Sequence, residues 1–496
     1  MIGLRQAVDE YFLDLGNETR RTVILFTTVY LIFQLLGLAS SVHAVLNTRT
    51  AQGAIAWVVS LNTLPMLSVP IYWVLGRSKF EGYVNKLKIR SLYMEARQQE
   101  ASQAFEAFMV HGPEDFPEYS AICELSLSPF LKGNQVELLV DGEATFASLL
   151  DGIDRARDYV LFQFYILRDD ESGNRFMQRL ASRARQGVQV HVLYDGIGSF
   201  ELSDAWLARY RRAGIQFTAF NTVRGPHNRF QINFRNHRKI MVVDGREAWL
   251  GGLNIGDEYL HRHPRLTPWR DTHLRIEGPA ALVAQSIFWA DWYSARKELL
   301  RHLHWLPRPA AGGADQDVLV LGSGPADELE TASLFFTTVL NAARRRIWIA
   351  TPYFIPDEAT LVSLRLALLR KVEVHILTPR LNDNWFVRHA ANVYLSELHR
   401  MGAKVSFYRR GFMHQKVVLV DDKLSLIGTV NFDNRSFRLN FEVTGAVADR
   451  AFAQEVEKML KKDFAQADLV EGFDLRRQPF WEQLKARACV LLAPVL

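Results

Sequence analysis

The sequence predicts an α/β protein made of two fused, related halves joined by a pseudo-two-fold, preceded by an N-terminal hairpin of two transmembrane helices. Three observations predict this. The pattern H-x-K-x4-D-x6-G-[GT]-x-N occurs twice, first through His237, Lys239, Asp244, Gly251 and Asn254, then through His414, Lys416, Asp421, Gly428 and Asn431. Every matched position is offset by 177 residues (237 to 414, 254 to 431). Around each copy, strand-like runs alternate with amphipathic helical ones, as in sheets covered by helices. Ahead of both, residues 22–47 and 50–76 contain no Asp, Glu, Lys or Arg apart from the loop between them. One copy alone would be an edge strand with a surface His and Lys. A repeat that keeps its glycine and asparagine, drawn from only 14 histidines in 496 residues, is a duplication.

Composition sets the frame for these elements. The length accommodates two or three domains without disulfide staples. The two cysteines, Cys123 and Cys489, lie far apart, which suits a reducing compartment and argues against a structural zinc site. A net charge of +5 and a pI near 9.0 favour anionic partners, either nucleic acid or an acidic membrane surface. The apolar N-terminus decides for the membrane.

Residues 1–21 form a polar cytoplasmic lead ending in Arg20-Arg21. Residues 22–47 and 50–76 are each long enough to cross a hydrocarbon core of about 30 Å as a helix. Pro65 and Pro70 weaken the second span, which could be kinked or re-entrant. A cleaved signal peptide ending near Ala44 competes for the first, but the apolar run is long and a second follows at once. Arg20, Arg21, Arg77, Lys79, Lys86, Lys88 and Arg90 flank the hairpin, whereas its loop offers only Arg49. The positive-inside rule then puts both ends, and everything after them, in the cytoplasm.

Residues 77–129 read as a juxtamembrane connector whose basic start rests on head groups. The first half spans 130–306, with strands at Tyr159–Leu167 and Val188–Leu193 and helices at 173–186 and 205–213. The second spans 307–472, entered through a Pro-, Gly- and Asp-rich boundary at 307–324. Its strands at Arg346–Pro356 and Val372–Leu377 repeat the order. Residues 473–496 form an amphipathic tail carrying Phe480-Trp481, expected either to rest on the bilayer or to pack on the globular body.

On a strand, residues i and i+2 share a face, so His237 and Lys239 point together, as do His414 and Lys416. Asp244-Gly245 marks a tight turn, and the returning strand sets Gly251, Gly252 and Asn254 opposite Lys239 and His237. Two imidazoles, two ammonium groups and two carboxamides at one place suit a phosphodiester. Lys239, Lys416, Asn254 and Asn431 would hold the non-bridging oxygens. One histidine attacks phosphorus while the other moves the proton of the leaving and entering oxygens. Neither half offers a carboxylate or cysteine cage suited to a metal, and no cofactor is expected. Asp244 and Asp421 complete the set of catalytic candidates. Yet each stands seven residues from its histidine, roughly 23 Å along a strand, and is better placed to fix a turn or the interface. The carboxylates expected to orient the imidazoles are Asp271 and Glu442, each on the strand-like segment after its motif.

These residues resemble the phospholipase D superfamily, whose double HKD motif they match in full. Arg235-Asn-His-Arg-Lys-Ile240, Gly251 to Tyr259, Thr351-Pro-Tyr-Phe-Ile-Pro356 and Asn431 to Glu442 are similar to the bacterial cardiolipin synthases with two transmembrane helices. The resemblance runs from the anchor to about Asp468. It implies two phospholipase D-like halves and phosphatidyl transfer between two phosphatidylglycerol molecules, giving cardiolipin and glycerol. It further implies a phosphatidyl-histidine at His237, His414 as acid and base, and a multi-pass place in the bacterial inner membrane with the catalytic part cytoplasmic. Phospholipid substrate and membrane lipids are then the expected partners, and nucleic acid is not. A membrane-bound phospholipase D or nuclease is the rival reading. A nuclease would want an aromatic-lined strand groove, for which Trp289, Trp292 and Trp385 are the candidates, and has no need of the anchor. A non-catalytic membrane protein fits poorly with two intact motifs. Nothing in the sequence specifies an oligomeric state.

Overall fold

The computed structural model describes residues 17–76, 80, 104–110, 118–126, 129–220 and 233–495. It divides into two units, Met1–Phe80 with Val223–Asn233, and the remainder. Residues 1–16 of the lead, most of the connector at 77–129, and the flanking cations Arg77, Lys79, Lys86, Lys88 and Arg90 lie outside the described residues.

In the first unit, helix α1 (Asn17–Asn47) is long and apolar enough over Thr19–Asn47 to cross a bilayer. Leu25, Phe26, Leu35 and Leu46 are exposed on it, as on a lipid-facing helix. Residues 50–76, expected as one span, form two helices instead: α2 (Ala51–Thr63) and α3 (Pro65–Leu75). Pro65 has no N–H to continue α2 and takes the first position of α3, while Leu64 turns to φ −130° and ψ 59°. At 1.5 Å per residue, α2 is about 20 Å long and α3 about 16 Å, each short of the hydrocarbon thickness.

Polar bonds hold both to α1. Asn62 donates to Ser41 Oγ at 2.8 Å, Trp73 Nε1 donates to Ser40 Oγ at 3.1 Å, and Tyr72 Oη lies 2.6 Å from His43 Nδ1. Gly37 allows the close approach, since a Cβ there would sit 2.4 Å from the Leu61 carbonyl oxygen.

The second unit contains the duplicated halves. The first-half strands are β1 (Phe130–Val140), β2 (Tyr159–Phe164), β3 (Gln189–Asp195), β4 (Gln216–Phe220), β5 (Ile240–Val243), β6 (Glu247–Gly251) and β7 (Thr272–Glu277). Their order across the sheet is β4-β3-β2-β5-β6-β7-β1, the first three parallel and the rest antiparallel. The second half gives β8 (Gln316–Ser323), β9 (Arg346–Ala350), β10 (Glu373–Pro379), β11 (Lys404–Tyr408), β12 (Val417–Val420), β13 (Leu424–Gly428) and β14 (Asn440–Ala448). Their order, β11-β10-β9-β12-β13-β14-β8, is the same. β1 also pairs with β8 through Leu131 and Asn134, which makes the two sheets continuous at that edge.

The parallel strands are mostly apolar and mostly buried because helices cover both faces. Every residue of β2 is buried. Helix α4 (Asp141–Arg155) buries Phe146, Leu149, Leu150 and Ile153, and α5 (Glu171–Arg185) starts on Asp170, whose carboxylate accepts from the Gly173 N–H. The halves are bound by buried arginines as well as strands, one through carbonyl hydrogen bonds and one through an ion pair. Arg238, from the first half, donates to Asp291 on α6 (Ala280–Arg296) at 2.6 Å and to the Glu442 and Ser323 carbonyls of the second. Arg270 donates to both carboxylate oxygens of Asp463 on α7 (Arg450–Ala465), at 2.9 and 2.8 Å. Removing one partner of such a buried pair costs about 3–5 kcal/mol. The C-terminal tail packs on the body, with Cys489 and Ala493 buried against Val387 and Ala390.

Candidate active site

His237, Arg238 and Lys239 precede β5 rather than lying within it, and His414, Gln415 and Lys416 precede β12 in the same way. What positions each triplet is a short parallel pairing with the other half. Arg235–Asn236 pairs in parallel with Asn440–Phe441, and Phe412–Met413 pairs in parallel with Trp269–Arg270. The pairing continues by one hydrogen bond in each case: His237 N–H donates to the Phe441 carbonyl at 2.9 Å, and His414 N–H to the Arg270 carbonyl at 2.7 Å. The next residue on each acceptor strand is the carboxylate.

Glu442 therefore faces His237, with Oε2 2.9 Å and Oε1 3.1 Å from Nδ1. Asp271 faces His414, with Oδ2 2.8 Å from Nδ1. Both carboxylates are fully buried. A carboxylate at Nδ1 keeps the proton there and leaves the Nε2 lone pair for phosphorus or for a substrate proton.

The residue opposite each carboxylate differs between halves. Thr429 donates its hydroxyl to Glu442 Oε2, and Asn440 donates to Oε1 at 3.1 Å. Its counterpart Gly252 leaves room for Asp271, since a Cβ would lie 1.9 Å from Oδ1. Trp269 packs 5.1 Å from the His414 ring, and Tyr165 meets His237 edge-on at 5.0 Å.

The two ammonium groups are buried beside the imidazoles. Lys239 Nζ donates to the His237 carbonyl at 2.7 Å and lies 5.3 Å from the Tyr165 ring centre. Lys416 Nζ lies 2.7 Å from His414 Nδ1 and 3.1 Å from Nε2. Burial, opposed by nearby carboxylates, pushes Lys416 down to about 8 and Lys239 well below the usual lysine range. Burial also pushes both histidines down to about 4. Glu442 opposes this at His237, while Lys416 adds to it at His414. Burial alone would raise Asp271 and Glu442, but Lys416 and His414 outweigh it at the first, and His237 with Lys239 at the second. Both carboxylates are held below their ordinary range.

Asn254 accepts from the Ile166 N–H at 3.0 Å and donates to Tyr259 Oη at 2.8 Å. Asn431 keeps a buried carboxamide oxygen with no partner among the described residues. Asp244 and Asp421, grouped with the catalytic candidates, are brought to neither imidazole. Asp244 accepts three backbone N–H bonds at 2.8 Å, from Arg157, Asp158 and Tyr159, at the entrance of β2. Asp421 accepts from Arg344, Arg345 and Arg346 at the entrance of β9. Both have positive φ, 51° and 53°, at the turn that follows their strand. They fasten that turn to the first strand of the parallel layer, as their distance along the chain requires.

Sequence reasoning passed over Tyr165, Tyr353 and Asp433. Tyr353 donates to Asp383 at 2.7 Å, and its ring lies 6.3 Å from His414. Asp433 caps the helix Asn434–Arg438 and is pushed up to about 6, chiefly by burial. The signal for the two tyrosines is their place just after β2 and β9, the first parallel strand of each half, where such sheets gather ligand sites.

Comparison with known proteins gives a consistent picture. The family described as cardiolipin synthase, PLD-like domain, matches residues 149–292 and 336–464. The chain is 45% identical over 468 residues to cardiolipin synthase A of Pseudomonas putida (strain GB-1), covering 94% of this chain and 97% of that protein. It is 44% identical over 469 residues to cardiolipin synthase A of Pseudomonas aeruginosa (strain UCBPP-PA14), covering 93% and 94%. Among solved structures, phosphatidylserine synthase of Haemophilus influenzae Rd KW20 superimposes with a TM-score of 0.59 at 16% identity, covering 76% of this chain and all of that one. That likeness shows the two-half fold.

Proposed function

The chain belongs to the cardiolipin synthase, PLD-like family, and on that premise we propose that it joins two phosphatidylglycerol molecules into cardiolipin and releases glycerol. The observation that carries this reading is the crossed arrangement of imidazole and carboxylate. Each histidine takes its carboxylate from the opposite half, beside two buried ammonium groups.

His237 Nε2 attacks the phosphorus of the first phosphatidylglycerol. The bond from phosphorus to the glycerol oxygen breaks, and that oxygen takes a proton from His414 Nε2. Glycerol leaves, and the phosphatidyl group stays on His237. His414 then takes the proton from the terminal hydroxyl of a second phosphatidylglycerol, whose oxygen displaces His237 and completes cardiolipin. Lys239 and Lys416 face the charge on the non-bridging oxygens, and Asn254 and Asn431 supply amide donors; one such donor is worth about 3–4 kcal/mol in the transition state. The free site holds both imidazoles neutral, and the phosphodiester anion favours the protonated form of the one that must act as acid. Water has to be a poor competitor for the phosphatidyl-histidine, which a lipid-facing site with acceptor at high local concentration supplies.

α1 crosses the inner membrane and the broken pair α2–α3 returns, so the catalytic unit faces the cytoplasm. The cations on both flanks and the nearly uncharged loop support that sidedness. Protease protection in inside-out vesicles tests it: the catalytic unit is expected to be digested, and its protection would reverse the topology. Protein reconstituted with phosphatidylglycerol as the sole lipid is expected to form cardiolipin and one glycerol per turnover in the presence of a chelator. Phosphatidic acid as the only product would make the protein a hydrolase.

A further inference from the structure

Helix α8 (Trp385–Arg400) and helix α9 (Phe480–Val490) pack together through Val387, Ala390, Cys489 and Ala493. Their outer surfaces carry large apolar side chains. Trp481 is 72% exposed, Leu491 81%, Phe480 67% and Trp385 53%, with Phe386 and Leu484 also exposed. At about 100° per residue, Phe480, Trp481, Leu484 and Leu491 fall within roughly a third of the α9 circumference, opposite the buried Ala486 and Cys489. Lys485 stands at one border of that stripe and Arg487 at the other. A helix with two apolar faces needs a second apolar environment besides the protein core.

We propose that this face docks on an anionic bilayer surface, seating Trp385, Trp481, Leu484 and Leu491 at the boundary between head groups and acyl chains. Trp, Phe and Leu bordered by Lys and Arg are the composition of an interfacial helix, with the cations reaching phosphate while their stems lie on apolar surface. Arg388, exposed on α8 beside Trp385, adds to that border. A two-fold contact with a second copy would set the same cationic border against itself. The face also adjoins the reacting centre. Tyr353 packs against the α8–α9 core, donates to Asp383 just before α8, and lies 6.3 Å from the His414 ring. Docking therefore brings the His414 side of the site to the depth of lipid head groups.

This inference takes its partner, a lipid surface, from the proposed function. Its test uses the full-length protein reconstituted in phosphatidylglycerol vesicles with acyl chains brominated near the head group. Wild-type tryptophan fluorescence is expected to be quenched, and the quenched component to shrink in Trp385→Phe and Trp481→Phe. The triple variant Trp481→Ser, Leu484→Ser, Leu491→Ser is expected to turn over bilayer phosphatidylglycerol about ten-fold more slowly, with turnover of monomeric short-chain phosphatidylglycerol unchanged. Unquenched Trp385 and Trp481, full bilayer turnover by the triple variant, or a dimer that shields both tryptophans would overturn the docking face. Failure of the wild type to make cardiolipin from either substrate would count against the proposed function, while the quenching would still report on docking.

Discussion

Glu442 and His237 belong to different halves of the chain, yet Glu442 Oε2 stands 2.9 Å from His237 Nδ1. Asp271 and His414 repeat the relationship in the other direction at 2.8 Å. Neither motif histidine takes its carboxylate from its own half, so the duplication yields one composite site rather than two.

The crossed carboxylates should act on different groups, Glu442 on the nucleophile and Asp271 on the acid and base. Glu442→Gln should slow formation of the covalent intermediate, because it loosens the nucleophile His237. Asp271→Asn should disturb His414 and hence the proton transfers to glycerol and from the acceptor. Each loss is expected to be about 10²- to 10⁴-fold in kcat, with the folded state retained. Rapid-quench measurement of the phosphatidyl-enzyme checks this: both variants should slow its formation, Asp271→Asn should also slow its transfer to the acceptor, and transfer at the wild-type rate in Asp271→Asn would contradict the division.

Asp244 and Asp421 should behave differently. Each carboxylate holds three backbone N–H groups, and hydrogen bonds to a charged group are worth about 1.5–3 kcal/mol. Asp244→Asn is expected to lower the free energy of unfolding by an amount at the upper end of that range, while the folded fraction keeps kcat within about ten-fold. Denaturant titration beside a turnover assay checks both, and a stable but inactive variant would return Asp244 to the reacting centre.

The alkaline limb of the pH profile should report Lys416. Burial holds it down to about 8, below its ordinary value, so it is cationic below that pH and neutral above it. kcat/KM for short-chain phosphatidylglycerol is expected to fall as pH rises through about 8. In Lys416→Arg the residual activity should lose that limb, because the guanidinium stays protonated. A limb unmoved in the variant would assign it to another group.

His191 should contribute to acid lability without touching catalysis. It is buried against Trp292, with both ring nitrogens unpartnered among the described residues, and burial pushes it down to about 3. The unfolded chain takes up this proton nearer 6.5, so the contribution to stability is complete above that pH and is lost as pH falls toward 3. His191→Phe is expected to flatten the decline of Tm between about pH 6.5 and 4. An unchanged slope would show that His191 titrates normally in the folded protein.

Much of this site was legible in the sequence, for physical reasons. A histidine and lysine two apart share a face in any extended chain, and the distance from His237 to Asp244 alone argued that the aspartate acts elsewhere. Asp271 and Glu442 could be named because they lie on the strand after each motif. Their crossing could not be read, because it depends on two short parallel pairings between residues about 140 and 200 apart in sequence, at Phe412–Met413 and Arg235–Asn236. The anchor shows the complementary limit. Composition gives 50–76 as one uncharged stretch, and only the missing N–H of Pro65 divides it. The C-terminal helix was ambiguous for a related reason, since it is apolar on the face that packs and on the face that does not.

The most direct test of the composite site is the location of the covalent intermediate. Protein carrying His414→Asn, incubated with phosphatidylglycerol labelled in its phosphate, is expected to retain the label on His237 and to resolve it slowly. Glu442→Gln in the same background should reduce the rate at which the label appears. Label at any residue other than His237 in that variant, or full cardiolipin synthesis by His237→Asn, would contradict the account.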